Sequence, residues 1–283
     1  MKGPWARFLL RAGELLGGLA WALGVRKQVA LDGLRRASPE RTDQERREAA
    51  RAAYRQLGRT LAEVVLSPRL ADAELVHLVR FDNWERYEAA HAAGRGVVVA
   101  VAHFGNWELS ARAAVQRGMQ LTAITRALRG RLNEPILAAR RREGGMRELP
   151  EKGSTDAALR LLRRGETLAV IVDQNMRPSR GIFVDFFGEP ACTTPAAAVF
   201  SLRTGAALIA AFSVRGPDGT HQVRFEGPFA PPPGARGHSA VRALTQEVTR
   251  AVERAVRAHP DHWFWVHRRW KTRPTEVLPP SAS

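Results

Sequence analysis

The fold class of this chain is decided by residues 96–102, which read GVVVAVA. A continuous β-branched run of this kind is typical of a strand buried on both faces, as in a parallel sheet. The sequence predicts further strands at residues 121–125, 167–172 and 206–213, and residues 222–226 are expected to pair near the last of these. Several buried strands in one chain indicate a sheet that is covered by helices on both sides.

Helical segments alternate with these strands. A capping box at Thr42–Glu45 opens one helix, which Pro68 closes, and Ser154 caps another. Further helices are predicted over residues 106–116, 133–145, 154–165, from 194 onward, and 240–258. Strands that alternate with helices predict an α/β domain with a mostly parallel central sheet. Because no long polar linker divides the chain, we expect one domain over residues 26–283.

The segment formed by residues 1–25 is predicted to be an amphipathic helix that associates with a membrane. It is mostly apolar, but Arg7, Arg11 and Glu14 share one helical face, and the uncharged run over 15–25 is shorter than the ~20 residues that span a bilayer. The opposite face is apolar, which is typical of a helix lying in the membrane interface. The alternative is an amphipathic helix that packs against its own domain.

The composition indicates the kinds of partner and excludes some kinds of site, but it does not identify a single class of protein. A formal charge of +16 attracts polyanions, among them nucleic acid, anionic lipid headgroups and acidic carrier proteins. The single cysteine, Cys192, excludes an intrachain disulfide and a multi-cysteine metal site. The spacing of His259, His262 and His267 is not that of a known metal motif, so no metal or cofactor is predicted.

Three polar side chains follow three of the predicted strands. His103, Arg126 and Asp173 each come just after a strand, and functional groups of open α/β sheets gather at the carboxyl ends of strands. His103 begins the sequence HFGNWE, in which Glu108 follows five residues later. A histidine beside a carboxylate is a general base with an orienting partner, so Glu108 is expected to hold the His103 ring.

The turn after His103 is predicted to bind negative charge. Gly105 and Asn106 precede a helix, where backbone N–H groups favour anions. The sequence contains no G-x-S-x-G, P-loop, G-x-G-x-x-G or H-E-x-x-H motif. A base without an obvious protein nucleophile indicates that the substrate supplies the reacting hydroxyl.

Five stretches resemble the lipid A biosynthesis (lauroyl/myristoyl) acyltransferases, a branch of the glycerolipid acyltransferase superfamily with its H-x4-D/E box. They are residues 101–109 (VAHFGNWEL), 124–126 (ITR), 172–175 (VDQN), 183–188 (FVDFFG) and 263–274 (WFWVHRRWKTRP). Together they cover nearly the whole chain in order. The resemblance implies a glycerolipid acyltransferase-like α/β fold and an enzyme that acylates a lipid hydroxyl.

The resemblance also implies roles and partners. His103 and Glu108 would be catalytic, while Arg126, Asp173, Asn106 and Gly105 would bind substrate. The donor would be acyl carrier protein or acyl-coenzyme A, and the acceptor a lipid A precursor, another phosphorylated glycolipid or a lysolipid. The protein is expected on the cytoplasmic face of the inner membrane, and nucleic acid is not an expected partner.

Three alternatives remain at this point. A lysophospholipid acyltransferase would share the His103 box, but the Gly-rich headgroup box usual in that branch is not found. A thioesterase would use water in place of the lipid hydroxyl. A basic nucleic-acid-binding protein is suggested by charge alone, without a recognised binding motif.

Overall fold

The central sheet of the computed structural model has seven strands, and the structure describes residues 4–125 and 134–274. The helices are α1 (Pro4–Ala22), α2 (Lys27–Ala37), α3 (Asp43–Leu66), α4 (Asp72–Leu78), α5 (Trp84–Ala92), α6 (Trp107–Gln116), α7 (Glu134–Glu143), α8 (Thr155–Arg163), α9 (Ala196–Thr204) and α10 (Gly237–Ala258). The strands are β1 (Val79–Asp82), β2 (Val97–Val101), β3 (Leu121–Thr125), β4 (Arg147–Pro150), β5 (Thr167–Ile171), β6 (Ile182–Phe186), β7 (Glu189–Thr193), β8 (Ala207–Arg215) and β9 (His221–Phe229).

The sheet has the order β1-β9-β8-β2-β5-β3-β4, and β6 and β7 form a separate hairpin. Its neighbouring strands are parallel except for the antiparallel pair β8 and β9. The predicted α/β fold with a mostly parallel sheet flanked by helices is therefore confirmed. Strands β1 and β4 and the hairpin are not predicted from the sequence, because short or partly exposed strands lack a long apolar run.

The strand order brings distant segments together. β2 lies next to β5, with Val101 opposite Ile171, although β3 and β4 come between them in the chain. Residues that follow the two strands by equal numbers therefore emerge side by side at the carboxyl edge of the sheet. His103 and Asp173 both stand two residues beyond that paired position.

Two apolar cores cover the two faces of the sheet, which explains why β2 has no polar alternation. Val98 and Ala100 pack into one core with residues of α8, α9 and α10. Val97 and Val99 pack into the other with residues of α5 and α6. Both faces of this strand are thus removed from water.

Helix α1 lies on α3 through glycines. Gly13 and Gly17 meet Gly58 and the backbone of Tyr54, so the two helices approach at backbone distance. The opposite side of α1 and the turn after it leave large apolar side chains exposed: Trp5, Phe8, Leu15, Leu16, Leu19, Leu23 and Val25. Among the described residues no single helix has the length and hydropathy of a membrane span, although a pair bent by 90°, residues 5–22 and 27–37, meets both criteria together.

Candidate active site

His103 forms a hydrogen-bonded pair with Asp173 at the carboxyl edge of the sheet. Its Nδ1 lies 2.9 Å from Asp173 Oδ1, and its backbone N–H donates to Asp173 Oδ2 at 2.9 Å. The indole Nε1 of Trp263 donates to the same Oδ2 at 2.8 Å. Because an ionised carboxylate only accepts hydrogen bonds, Nδ1 carries the ring proton and Nε2 keeps a free electron pair.

The expectation that Glu108 holds the His103 ring is wrong in the structure, since Asp173 occupies that position. Glu108 lies in the first turn of α6 and pairs with Arg141 of α7, whose Nε lies 3.1 and 3.0 Å from its two carboxylate oxygens. Arg141 also donates to Glu148 at 3.0 Å. Because α6 begins at Trp107, Glu108 points toward α7. The ring of His103 pairs instead with Asp173, which follows β5.

Asp173 remains ionised although it is buried. Burial raises its pKa, but the charge of His103 and the hydrogen bonds from His103 and Trp263 outweigh that effect and lower the pKa to about 2. The Asp173 side chain is 3% exposed, and its carboxylate oxygens bind His103 and Trp263. A buried, ionised carboxylate is suited to fixing a histidine tautomer and stabilising the imidazolium form.

The ring of His103 is held between two aromatic side chains. Trp107 makes an edge contact with ring centroids 5.0 Å apart, and the Phe264 centroid lies 5.7 Å away. The side-chain nitrogen of Gln174 lies 3.4 Å from His103 Nε2. This ring nitrogen is therefore close to a carboxamide that can donate hydrogen bonds.

The turn that follows His103 is bound to other parts of the protein. The N–H of Gly105 donates to the His262 carbonyl at 2.8 Å, so it does not face the substrate as predicted. Asn106 is fully buried, with its Oδ1 accepting from Leu109 N at 3.0 Å and its Nδ2 donating to Glu63 at 2.7 Å. The Asn106 side chain thus caps α6 and binds α3, while the anion contact expected of its backbone N–H stays a prediction.

Two clefts meet at Trp107. One, of about 780 Å³, is mostly apolar and runs over the sheet, with Val99, Ala123, Ala169 and Ile171 among its lining residues and Glu108 and Arg141 among its few charged ones. The other, of about 440 Å³, is lined by His103 and by polar side chains that include Gln56, Asp261 and His262. Trp107 lines both clefts, so groups bound in the two clefts would approach each other beside His103.

Several contributors to this region were not predicted. Glu63 of α3 was not predicted to contribute, and neither was the contact between Arg141 and Glu108. The closing segment over 263–274 supplies Trp263 and also Arg269, which is 1% exposed and donates to the Cys192 carbonyl at 3.0 Å. Only the resemblance of the 172–175 and 263–274 stretches gave a signal for these contacts. Arg126, predicted to bind substrate, lies outside the described residues.

His259, Asp261 and His262 come close enough together to be considered as metal ligands, with ligand atoms within 4.8 Å of one another. Both ring nitrogens of His262 already have protein partners. Nδ1 lies 2.9 Å from Asp261, and Nε2 accepts from the backbone N–H of Arg215 at 3.0 Å. These contacts explain the cluster as part of a hydrogen-bonded network.

The fold and the site define a class: an α/β protein with a histidine oriented by a carboxylate at its strand ends, near an apolar cleft. The family model for bacterial lipid A biosynthesis acyltransferases matches residues 6–272. The chain belongs to this family and is an acyltransferase, as its sequence motifs indicated.

Curated acyltransferases are similar to this protein over most of its length. The lipid A biosynthesis lauroyltransferase of Escherichia coli (strain K12) is 26% identical over 95% of this chain and 87% of its own length. The phosphatidylinositol mannoside acyltransferase of Mycobacterium tuberculosis (strain CDC 1551 / Oshkosh) is 29% identical over 94% of this chain and 80% of its own length. The lipid A biosynthesis palmitoleoyltransferase of E. coli (strain K12) is 24% identical over 88% and 80%, respectively.

Proposed function

We propose that this acyltransferase transfers a fatty acyl group from a thioester to a glycolipid hydroxyl, with His103 as base and Asp173 as its partner. The observation that carries the proposal is the His103–Asp173 pair: Nδ1 faces the carboxylate, and Nε2 points away from it, with the Gln174 amide nitrogen 3.4 Å away. Trp107, in contact with this ring, lines the apolar cleft. A base of this kind removes the proton from a hydroxyl as that oxygen attacks.

The reaction proceeds by direct transfer. His103 Nε2 takes the hydroxyl proton, and the oxygen forms a bond to the thioester carbonyl carbon. The resulting tetrahedral oxyanion collapses, the C–S bond breaks, and the imidazolium returns the proton to the thiolate. Gln174 lies where it can donate to the oxyanion. Cys192 is unsuited to act as a covalent nucleophile, because it is fully buried and burial raises the pKa of its thiol.

The acyl chain would occupy the apolar cleft over the sheet. The small side chains of Ala123, Ala169 and Ala211 leave room between the larger residues that line it. Burying a hydrocarbon chain there contributes ~25 cal/mol per Å² of apolar surface. The thioester at the end of the chain would then lie near Trp107 and within reach of His103.

The acyl donor is proposed from the charge of the chain, and the lipid acceptor from the names of its relatives. Acyl carrier protein is acidic and coenzyme A is anionic, so either donor suits a chain with a charge of +16. The relatives' names point to a lipid A precursor or a related glycolipid as the acceptor. We propose that Arg126 binds an anionic group of this acceptor, because a guanidinium matches phosphate with two parallel hydrogen bonds.

We propose further that the exposed apolar side of α1 lies in the cytoplasmic face of the bacterial inner membrane. Trp5, Phe8, Leu15, Leu16 and Leu19 are each more than half exposed, and contiguous apolar patches mark interaction surfaces. This arrangement would bring the acyltransferase domain to its lipid acceptor. Leu15→Glu with Leu19→Glu should reduce co-sedimentation with anionic vesicles, whereas Val76→Glu, on the exposed part of α4, should not.

The mechanism is tested by comparing the two carboxylates in a radiolabelled acyl-transfer assay. His103→Ala and Asp173→Asn should lower turnover by about 100-fold or more, with folding retained. Asp173→Asn should also change the pH dependence of kcat, because it removes the partner of the imidazolium. Glu108→Gln should leave that pH dependence unchanged, since its partner is Arg141. A folded His103→Ala protein with normal turnover would exclude the mechanism.

The acceptor is tested with a phosphorylated glycolipid and its dephosphorylated analogue. Arg126→Ala should weaken use of the phosphorylated acceptor by ~1.5–3 kcal/mol, or roughly 10- to 150-fold, and Arg126→Lys should recover part of that loss. If the wild-type protein shows no preference for phosphate, a lipid A-like acceptor is excluded. If it prefers phosphate and Arg126→Ala keeps the preference, Arg126 is not the residue responsible.

A further inference from the structure

A buried carboxylate lies beneath the turn that carries the catalytic histidine. Glu63 is on α3, is 1% exposed, and forms a two-pronged ion pair with Arg215, one contact of which is 2.6 Å long. His221 Nε2 lies 3.3 Å from Glu63 Oε2. The same oxygen accepts a hydrogen bond from the Asn106 carboxamide at 2.7 Å.

Asn106 connects this carboxylate to the start of α6. Its Nδ2 donates to Glu63, while its Oδ1 accepts from Leu109 N at 3.0 Å and caps the helix. The carboxamide is thus fixed at both ends, and only two residues separate Asn106 from His103. Any displacement of Asn106 would be transmitted through Phe104 and Gly105 to the histidine backbone.

The other side of the turn is held by the closing segment. His103 accepts from Phe264 N at 3.1 Å, and Gly105 donates to the His262 carbonyl at 2.8 Å. Arg215 joins the two sides, because its guanidinium binds Glu63 and its backbone N–H donates to His262 Nε2 at 3.0 Å. The turn is therefore enclosed by one network of buried polar groups, to which Gln56 and Asp261 also belong.

Burying these charges has no obvious benefit for stability alone. A buried ion pair is often no more stabilising than well-packed apolar residues of similar volume, because desolvation offsets the attraction. What an apolar replacement cannot provide is a directed hydrogen bond to Asn106. Burial raises the pKa of Glu63, but its hydrogen bonds with His221 and Arg215 lower it to about 2, so the acceptor stays ionised in neutral solution.

We infer that Glu63 is a positioning residue for acyl transfer: it holds Asn106, and through the 103–106 turn it orients His103 for proton transfer. This inference rests on the proposed role of His103 as base. Misplacement of a catalytic group by about 1 Å can lower turnover by about 100-fold, so the contact matters although Glu63 does not touch substrate.

The test uses Asn106→Ser and Glu63→Gln. Serine retains a helix-capping oxygen but lacks the amide donor, so Asn106→Ser breaks the contact with Glu63 and leaves the Glu63–Arg215 pair intact. Each variant should lower kcat by about 10- to 100-fold with KM changed by less than about twofold. The double variant should lose less than the product of the two single losses, because both changes act on the contact between Glu63 and Asn106.

Thr42→Ala is the matched control. Thr42 caps the same helix α3 and accepts from Glu45 N at 3.2 Å, far from the turn. Its loss should lower the free energy of unfolding by ~1 kcal/mol and leave kcat unchanged. This variant separates a general loss of stability from loss of positioning.

The possible outcomes are distinct. Folded Asn106→Ser with normal kcat would overturn the inference, and so would losses that multiply in the double variant. If Glu63→Gln does not fold, Asn106→Ser decides the question alone. His103→Ala is assayed in parallel: if it stays active, the proposed mechanism fails, whereas an inactive His103→Ala beside a fully active Asn106→Ser refutes only the positioning role.

Discussion

At the scale of single residues, the turn after His103 requires a glycine at position 105. Gly105 has φ +60°, and a Cβ added there would lie 1.8 Å from the Ser213 carbonyl oxygen. The close approach lets the turn pass over β8 and lets the Gly105 N–H reach His262. This backbone geometry, and not a contact with substrate, explains the glycine in the HFGNWE sequence.

Gly105→Ala should therefore lower both stability and activity. An alanine at a positive φ costs ~1 kcal/mol of stability. The turn must also move away from the Ser213 carbonyl oxygen, which lowers stability further. Gly153→Ala is the control, because Gly153 has φ +77° but no atom within 4 Å of the added Cβ. Urea denaturation should show a larger loss for Gly105→Ala than for Gly153→Ala. Equal losses would mean that the approach to Ser213 is not important.

At the scale of elements, α1 and α3 meet because glycines remove the side chains between them. A Cβ on Gly17 would lie 2.1 Å from the Tyr54 carbonyl oxygen, and one on Gly58 would lie 2.0 Å from that of Gly13. Trp21 then packs against Tyr54 with ring centroids 5.5 Å apart. The contact places the apolar side of α1 outward, so the helix does not bury that face against its own domain.

Gly17→Ala and Gly18→Ala offer a direct comparison of this contact. Alanine in a helix is favoured over glycine by ~0.5–1 kcal/mol, so Gly18→Ala, with its nearest neighbour 4.0 Å away, should be neutral or stabilising. Gly17→Ala should instead push α1 away from α3 and increase proteolysis near residues 23–26. Similar protease resistance in both variants would show that the close packing is not required.

At the scale of the whole molecule, the polar network ties the sheet edge to helices on either side of it. The closing segment contributes His267, whose Nε2 accepts from Asn175 N at 2.8 Å beside Asp173. Burial lowers the pKa of His267 to about 4, and the positive charges of His103, Arg269 and Arg26 contribute to that shift. His221, at the other end of the network, also has its pKa lowered by burial.

Stability should therefore depend on pH in a defined direction. Between pH 6.5 and about 4 the unfolded chain binds a proton at His267 that the folded chain does not. The free energy of unfolding should be highest above pH 6.5 and fall as the pH drops toward 4, by on the order of 2 kcal/mol from this group. His221 contributes with the same sign.

Urea unfolding at pH 7.5 and pH 5.0, followed by tryptophan fluorescence, measures this dependence. His267→Gln should reduce the difference between the two pH values. His77→Gln, at an exposed position on α4, should leave that difference as it is in the wild-type protein. An undiminished difference in His267→Gln would mean that other groups cause the loss of stability at low pH.

Local sequence determined strands β2, β3, β5, β8 and β9 and the strand-end positions of His103 and Asp173, but not β1, β4 or the hairpin. Apolar runs and helix caps act over a few residues, so they can be recognised without knowing the rest of the fold. An apolar side of α1 was likewise predicted from periodicity, and the structure leaves Trp5, Phe8, Leu15, Leu16 and Leu19 on that side exposed.

The tertiary structure alone decided which carboxylate serves His103. Five-residue spacing favoured Glu108, but α6 begins at Trp107 and directs Glu108 to Arg141. Asp173, 70 residues away in the chain, became the partner because β2 and β5 are neighbours in register. Strand order and register depend on pairing between distant segments, so the local patterns that predicted the elements could not predict this contact.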